Sequence, residues 1–359
     1  MKYLIVDIAN QLNCNSFVRA EPELVPVAAI TITMNNIVKL FDQYKCNHVV
    51  ICCEGGSWRK IIYPEYKANR TVKKLLQTEK EKETSRFFFD ETDKFINFIQ
   101  EKTNATVLKA PGVEGDDFVA RWIDTHPNDE HIILSNDSDF IQLLSDNVEI
   151  YNPSDKYLLS KNFALDDDGS IAYVERIITE EKNGVKVKMK KSFPVSVPNP
   201  EYELFKKCIR GDSGDNIMSA YPRCSEKGTK NKIGIIGAFE DRHDKGIQWN
   251  MFMLHEWEKV VGKKEDGTPI LKKVRVLDEY NRNVELINLR NQPEEIINLM
   301  DETIKLEENK QRRFSVGFDL IRICNDLGLG KIQQNVTEYA RPLNYGAKQD
   351  GSKVIKLNG

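Results

Sequence analysis

Nine acidic residues stand where apolar segments of the sequence end, and acids in such positions could bind metal ions. Asp137 follows the apolar run from His131 to Leu134, and Asp139 stands in the N-cap position of a helical pattern that begins at Phe140. Capping explains any single acid, because free backbone N–H groups and the helix dipole favour a carboxylate there. It does not explain their accumulation. The full set is Asp7, Glu54, Glu114, Asp116, Asp117, Asp137, Asp139, Asp212 and Asp215.

The chemistry that suits this set is metal-assisted hydrolysis. Packed carboxylates repel one another unless a cation lies between them, and a divalent ion with oxygen ligands is the usual partner. Nine acids exceed the needs of one ion, so we predict two or more Mg²⁺ ions, with Mn²⁺ as a substitute. Paired ions stabilise both the attacking and the leaving oxygen in phosphodiester hydrolysis. The five histidines are scattered, and no Ser/His/Asp or Cys/His arrangement competes.

The elements that must position these acids alternate along the chain. Short apolar strands are predicted at residues 2–7, 48–53, 106–109 and 131–134, with helical patterns between them. This alternation predicts an α/β fold with a mostly parallel central sheet flanked by helices on both faces. Ligands bind at the carboxyl ends of the strands in such sheets, and that is where these acids fall.

The 359 residues are enough for a large core and a second part. We predict an α/β core over residues 1–200, with a charged helical arch at about 58–100 and a β-rich excursion at about 146–200. The excursion contains a hairpin that turns at Asn183-Gly184. A mainly helical C-terminal part is expected over 201–340, and a flexible tail over 341–359.

The net charge of −3 averages over a strong segregation of charge, as expected of a protein that binds both metal ions and phosphodiesters. Bases are concentrated in the predicted arch, where tyrosines interleave with them and would offer stacking surfaces beside phosphate contacts. A solvated basic helix face is the alternative. The predicted nucleic-acid contacts are Arg59, Tyr66, Lys67, Arg70, Lys73, Lys74, Lys227, Lys230 and Lys232.

The composition also indicates the cellular compartment. The seven cysteines lack the spacing of a zinc site, which favours packed thiols in a reducing, intracellular environment. No apolar run approaches the length of a membrane span, and the N-terminus lacks the pattern of a signal peptide. We therefore expect a cytoplasmic protein with no membrane partner.

Several blocks of this sequence resemble those of the flap endonuclease and 5′→3′ exonuclease superfamily, whose core is PIN-like. The likeness is greatest to the ribonuclease H-type 5′-nucleases of bacteriophages. The matching blocks, in family order, are Leu4-Ile-Val-Asp7, Trp58-Arg59, Tyr63-Pro-Glu-Tyr-Lys-Ala-Asn-Arg70, Gly112-Val-Glu-Gly-Asp-Asp117, Leu134-Ser-Asn-Asp-Ser-Asp-Phe140 and Phe205 to Ile217.

The resemblance implies a metal-dependent nuclease that removes RNA primers and flaps during phage DNA replication. Its substrates would be DNA and RNA–DNA duplexes with 5′ ends or flaps, and the C-terminal part would bind the duplex. It further implies a monomer in the infected host cell, with replication proteins such as a single-strand-binding protein or a sliding clamp as candidate partners.

The resemblance also assigns roles to residues. It implies a more catalytic metal site formed by Asp7, Glu54, Glu114, Asp116 and Asp117, and a second formed by Asp137, Asp139, Asp212 and Asp215. Lys67 and Arg70 match the bases of the arch that contact the scissile phosphate and the threaded strand, so they join the catalytic set. Arg59 is a further member of these arch bases, as a nucleic-acid contact.

Two departures from the family pattern matter. Glu54 stands where the family usually has Asp, so its carboxylate reaches one methylene farther. The Gly-rich turn that usually binds duplex after Ile217 is replaced here. The lysines at 227, 230 and 232 could supply that contact, as could the hairpin arm with Lys186, Lys188 and Lys190. Guarding an edge strand against aggregation explains the hairpin lysines equally well.

Three other functions stay open. A nuclease for host-DNA degradation or repair would share the acids. A catalytically silent nucleic-acid-binding relative would have lost part of the set. A toxin-type ribonuclease shares the core fold but is typically shorter and lacks the block at 200–220.

Overall fold

A central sheet of seven strands, in the order β3-β2-β1-β4-β5-β6-β7, organises the computed structural model, which describes residues 1–182, 185–264 and 266–346. The strands from β1 to β5 are parallel, and β6 and β7 are antiparallel additions at one edge. The sheet strands are β1 Lys2–Asp7, β2 His48–Cys52, β3 Thr106–Leu108, β4 Glu130–Leu134, β5 Val148–Asn152, β6 Tyr157–Leu159 and β7 Ala164–Asp166. The mostly parallel sheet expected from the alternating pattern is confirmed.

Two antiparallel ribbons lie outside this sheet. One consists of β8 Tyr173–Lys182 and β9 Val185–Pro194, and the other of β10 Glu256–Lys263 and β11 Pro269–Arg275. The first is the predicted hairpin, although its turn at Asn183-Gly184 lies outside the described residues. The second was not foreseen in a part of the chain expected to be mainly helical.

Helices connect the strands and form the C-terminal part of the chain. The α-helices are α1 Ile8–Asn15, α2 Val25–Gln43, α3 Arg59–Ile62, α4 Ala68–Leu75, α5 Glu79–Lys102, α6 Gly115–Thr125, α7 Pro200–Arg210, α8 Ile235–Glu240, α9 Ile247–Met253, α10 Val276–Ile287, α11 Glu294–Glu308, α12 Val316–Leu327, α13 Gly330–Gln334 and α14 Val336–Ala340. Short 3₁₀ helices span Pro22–Leu24, Ser138–Leu143 and Pro342–Asn344. The predicted arch, at about 58–100, spans α3, α4 and nearly all of α5.

Alternate strand residues bury opposite faces of the sheet, as the period of a strand requires. Leu4 and Val6 of β1 point into a core that α1, α2, α5 and α12 to α14 complete. Tyr3 and Ile5 point into the opposite core, which contains α6, the 3₁₀ helix Ser138–Leu143 and α11. The helices α11 to α14 therefore pack on the sheet itself, and the core extends across the predicted boundary at residue 200.

The predicted tail begins inside folded structure, because Leu343 is buried in the first of these cores. Residues 347–359 lie outside the described part of the chain.

The segment Pro22–Gln43 is long and apolar enough to cross a membrane by length and composition. This corrects the expectation that no apolar run approaches that length. Half of its apolar window is buried, and residues such as Ile30, Met34 and Ile37 of α2 pack in the core against the sheet. Its packing is that of a core helix.

Candidate active site

The acids meet where the strand order of the sheet reverses. Chain order runs outward from β1 to β3 on one side and continues at β4 on the other, so a crevice opens at the carboxyl ends of β1 and β4. Asp7 ends β1, and its carboxylate accepts hydrogen bonds from the Asn10 backbone N–H at 3.1 Å and the Ser135 hydroxyl at 3.0 Å. Ser135 follows β4, so this second bond joins the two strand ends.

The N-cap predicted at Asp139 is provided by Asp137 instead. Asp137 is the N-cap of the 3₁₀ helix Ser138–Leu143, because its Oδ1 accepts the Asp139 N–H at 2.9 Å. Asp139, which we expected at the N-cap, lies inside that helix. The Asp139 carboxylate therefore does not cap the helix, and it lies close to α7, where it contacts Lys207.

Seven of the nine predicted acids line one cavity of about 370 Å³ at this crevice. Lys67, Arg70 and Lys207 line it as well. The seven acids are Asp7, Glu54, Asp116, Asp137, Asp139, Asp212 and Asp215. The structure thus brings together acids from five separate stretches of the chain, including members of both predicted metal sites.

Burial and mutual repulsion raise the pKa values of several of these carboxylates. Burial, reinforced by the charge of Asp137, raises the pKa of Asp7 to about 6. The pKa of Asp139 rises to about 6 for the same two reasons. Burial and the neighbouring Asp117 hold the pKa of Asp116 well above its usual range. Glu54 is exposed at the cavity, where lost hydration and nearby acids raise its pKa to about 7.

Carboxylates with raised pKa values and only oxygen donors fit hard divalent ions. Glu114, Asp116 and Asp117 also offer oxygen atoms that lie within 4.8 Å of one another. The donor set therefore suits the predicted Mg²⁺ or Mn²⁺ ions.

Asp117 nevertheless has a different environment from the seven acids of the cavity. It is fully buried, and Arg59 donates to both of its oxygens at 2.8 and 2.9 Å. The Trp58 indole adds a third hydrogen bond at 3.0 Å. For Asp117 to bind a metal, as predicted, this buried ion pair would have to open.

Two predicted nucleic-acid contacts are corrected by their burial. Arg59 is 1% exposed and donates to Glu114, Asp117 and the Leu286 carbonyl, so its guanidinium cannot reach a phosphate. Tyr66 is 2% exposed, and its hydroxyl donates to Asp215 at 2.9 Å, so its ring cannot stack on a base. Water does not solvate the buried acids beneath the arch, so these two side chains satisfy them as hydrogen-bond donors.

Lys67 and Arg70 reach the site as expected, at the beginning of α4. Lys67 adopts a left-handed conformation with φ of 55°, and its N–H donates to the Asp215 carbonyl at 2.9 Å. Its ammonium forms an ion pair with Glu114 and lies 3.7 Å from Asp215. Arg70 contacts Asp215 at 2.6 Å. Burial by itself would lower the pKa of Lys67, but the charges of Glu114 and Asp215 raise it above its ordinary value.

Glu114 lies behind the cavity and is neutralised from two sides. It is 2% exposed, accepts from Arg59 at 2.8 Å and pairs with Lys67. Although burial alone would raise its pKa, the charges of Lys67 and Arg59 lower it. In this arrangement Glu114 holds the arch base rather than facing the cavity.

A second groove, of about 570 Å³, lies beneath the arch and offers a basic and aromatic lining. Lys60, Lys74 and Lys109 line it with Phe88 and Phe89, and Lys67 and Arg70 border both this groove and the acidic cavity. A single nucleic-acid strand could place its phosphates against these lysine side chains and stack its nucleobases on the phenylalanine rings.

The remaining predicted contacts are solvent-accessible. Lys73 is exposed on α4, and the lysines at 227, 230 and 232 are exposed in the loop before α8. Lys188 and Lys190 are exposed on β9, where Lys190 pairs with Glu175 at 2.9 Å. The side chain of Lys186 lies outside the described part of the structure.

Lys207 was missed by the sequence prediction. It lies in the last turn of α7 and pairs with Asp139 and with Asp212, the latter at 2.8 Å. Its place in the block from Phe205 to Ile217, five positions before Asp212, was the available signal. Nothing local in that block indicates contact with an acid 68 positions away.

Comparison with known proteins agrees with this architecture. Residues 2–171 match the family described as 5′-3′ exonuclease, N-terminal resolvase-like domain. A 5′-3′ exonuclease of Mycoplasmopsis pulmonis (strain UAB CTIP) is 25% identical over 261 residues, which are 70% of this chain and 72% of the relative.

Two solved structures share the fold over 95% of this chain and all of theirs. One is a T5 protein co-crystallised with metal ions, with a TM-score of 0.50 and 18% identity. The other is the bacteriophage T5 flap endonuclease in a pseudo-enzyme–product complex with DNA and metal ions, with a TM-score of 0.51 and 17% identity. The N-terminal part of the chain, residues 2–171, thus matches the 5′-3′ exonuclease family model, and the two solved structures show the same fold over nearly the whole chain.

Proposed function

We propose that this protein is a divalent-metal-dependent 5′-nuclease that removes RNA primers and flaps during phage DNA replication. The observation that supports it most is the single cavity lined by seven carboxylates at the reversal of the strand order. Lys67 and Arg70 stand between this cavity and the basic groove beneath the arch. A strand held in the groove would present its backbone to the acids.

The side chains of this chain divide the work of hydrolysis. Asp7, Asp116 and Asp139 would hold Mg²⁺ or Mn²⁺, and bound ions would activate water and stabilise charge on the phosphate oxygens. Lys67 would donate to a non-bridging oxygen of the scissile phosphate and stabilise the charge that develops there. Its present pair with Glu114 keeps the ammonium at the arch base before substrate arrives.

The relatives support the substrate class. The T5 flap endonuclease was crystallised with DNA and metal ions, and the Mycoplasmopsis relative is a 5′-3′ exonuclease. We therefore propose DNA and RNA–DNA duplexes with 5′ ends or flaps as substrates. Replication in an infected cell, with single-strand-binding or clamp proteins nearby, would supply them.

The test is digestion of a series of 5′-labelled primer–flap substrates with and without Mg²⁺. We expect Mg²⁺-dependent release of short 5′ products, with cleavage near the single-strand/duplex junction and activity on RNA primers. Asp116→Asn should abolish cleavage and leave DNA binding near normal. The substitution removes a charge that would hold the metal, so the activation barrier should rise by about the lost electrostatic stabilisation, on the order of several kcal/mol.

Two of the rival functions predict different results. A silent binding relative would bind the substrates and cleave none of them. A nuclease for host DNA or repair would cleave DNA flaps and gaps without acting on RNA–DNA junctions. Retention of more than a few per cent of activity by Asp116→Asn would exclude the proposed role of that residue.

A further inference from the structure

Lys207 differs from Lys67 in the position of its partners. Lys67 pairs mainly with Glu114, which does not line the acidic cavity. Both acids that pair with Lys207 do line it. The Lys207 ammonium therefore lies among the carboxylates that are predicted to form the second metal site.

Lys207 occupies one oxygen of each of its two acids, and on Asp212 this is the oxygen that the backbone N–H groups leave free. The Oδ1 atom of Asp212 accepts backbone N–H groups from Gly214 at 2.7 Å and Asp215 at 3.2 Å. Its Oδ2 atom accepts Lys207 at 2.8 Å. The Oδ1 atom of Asp139 pairs with the same ammonium. An ion that bridges Asp139 and Asp212 would compete with Lys207 for these oxygens.

Lys207 is charged and only a quarter exposed, so its effect is weakly screened. Its side chain is 24% exposed, and those of Asp139 and Asp212 are 18% and 22% exposed. Burial works to lower the pKa of Lys207, but the two acids hold it above its ordinary value. A unit charge about 4 Å from a divalent ion repels it strongly at the effective dielectric constant of such a site.

The surroundings also leave Lys207 room to move. A smaller cavity of about 210 Å³ adjoins the site and is lined by Lys207 itself, Gln142 and Glu203. Glu203 stands one helical turn before Lys207 on α7. Its Oε1 accepts Lys206, which leaves Oε2 for a displaced ammonium.

We propose that Lys207 is a positioning residue that acts as the resident counter-ion of the second acidic group. It holds Asp139 and Asp212 together in the metal-free protein and must be displaced when a divalent ion binds there. This proposal rests on the proposed metal-dependent function. Lys207 thereby lowers the metal affinity of the second site, so that a higher metal concentration is needed to fill it.

The test is a titration of the full chain with Mn²⁺ alone, in which the electron paramagnetic resonance signal of free Mn²⁺ reports the bound fraction. In Lys207→Met we expect the weaker class of sites to bind Mn²⁺ at least about tenfold more tightly, because the competing charge is gone. Lys207→Arg keeps the charge and should stay within about threefold of the wild type. Without metal, Lys207→Met should melt at a lower temperature, and Mn²⁺ should raise its melting temperature more than that of the wild type.

Lys206→Met is the matched control. Lys206 is the neighbouring residue of α7 and is 22% exposed, but it pairs with Glu203 at 2.6 Å and does not line the acidic cavity. Its replacement should leave Mn²⁺ affinity within about twofold of the wild type, since Lys206 pairs with neither Asp139 nor Asp212 and occupies none of their oxygens. Lys207→Gln serves in place of Lys207→Met if circular dichroism shows the latter to be misfolded.

Unchanged or weaker Mn²⁺ binding in both neutral variants would overturn the proposal, because the metal would then not be competing with Lys207 for Asp139 and Asp212. If the wild type still binds Mn²⁺ and cleaves flaps in that case, the proposed function is supported and only the role of Lys207 is refuted. A wild type that neither binds Mn²⁺ nor cleaves would refute both.

Discussion

The ion pair between Arg59 and Asp117 should be the most costly single contact to break beneath the arch. Arg59→Met removes a guanidinium that donates to Asp117 twice, to Glu114 and to the Leu286 carbonyl. Asp117 then stays buried with only neutral donors, which are the Trp58 indole at 3.0 Å, the Gln292 amide at 3.3 Å and the Glu114 backbone N–H at 3.4 Å. We expect a loss in the free energy of unfolding, measured by urea denaturation.

The magnitude follows from burial. Breaking a buried pair by removing one partner costs about 3–5 kcal/mol, because an uncompensated charge is left in the interior. That is a large part of the roughly 5–15 kcal/mol of a typical domain. Arg59 and Asp117 are 1% and 0% exposed, so solvent screening does not reduce the estimate.

Arg121→Met is the matched control. Arg121 also makes a two-point contact with a carboxylate, donating to Asp301 at 2.6 Å through two nitrogen atoms. The partners are 24% and 27% exposed, so water can solvate whichever charge is left. We expect a loss of about 1 kcal/mol or less.

A double variant tests the reasoning directly. Adding Asp117→Asn to Arg59→Met removes the stranded charge and should restore at least about 2 kcal/mol, since neutral replacements of buried pairs are often well tolerated. Equal losses for Arg59→Met and Arg121→Met, or no recovery in the double variant, would refute the argument from burial.

Three further predictions concern catalysis, pH and duplex binding. Lys67→Ala should slow turnover strongly without raising the Mg²⁺ requirement; a raised requirement at unchanged maximal rate would assign Lys67 to the metal site. Burial lowers the pKa of His131 from 6.5 to about 4, so the unfolded chain binds more protons between these values. The free energy of unfolding from urea titrations should therefore fall by about 3 kcal/mol more in the wild type than in His131→Phe between pH 7 and pH 4, and parallel curves would contradict this. Replacing Lys186, Lys188 and Lys190 by Ser should reduce the slope of log duplex affinity against log salt in Ca²⁺ by up to roughly three units; an unchanged slope would favour the edge-guard role.

The sequence by itself determined the sheet and the placement of acids along its carboxyl edge. Apolar runs of strand length alternate with helical patterns, and that period is a local property that any parallel α/β sheet must satisfy. Because parallel strands end at one edge, an acid after each of β1 and β4 had to be near its counterpart. Asp7 and Asp137 are such a pair.

Tertiary structure decided which charged side chains face the site and which lie beneath it. Arg59, Tyr66 and Lys67 belong to one short basic stretch, yet only Lys67 lines the cavity. Their local patterns are alike, and the difference comes from buried acids on α6, which draw in Arg59 and Tyr66 as donors. Lys207 meets Asp139 across 68 positions of the chain because α7 packs beside the 3₁₀ helix. Periodicity reports which face of an element is apolar, whereas the distance between remote charges depends on how the elements pack.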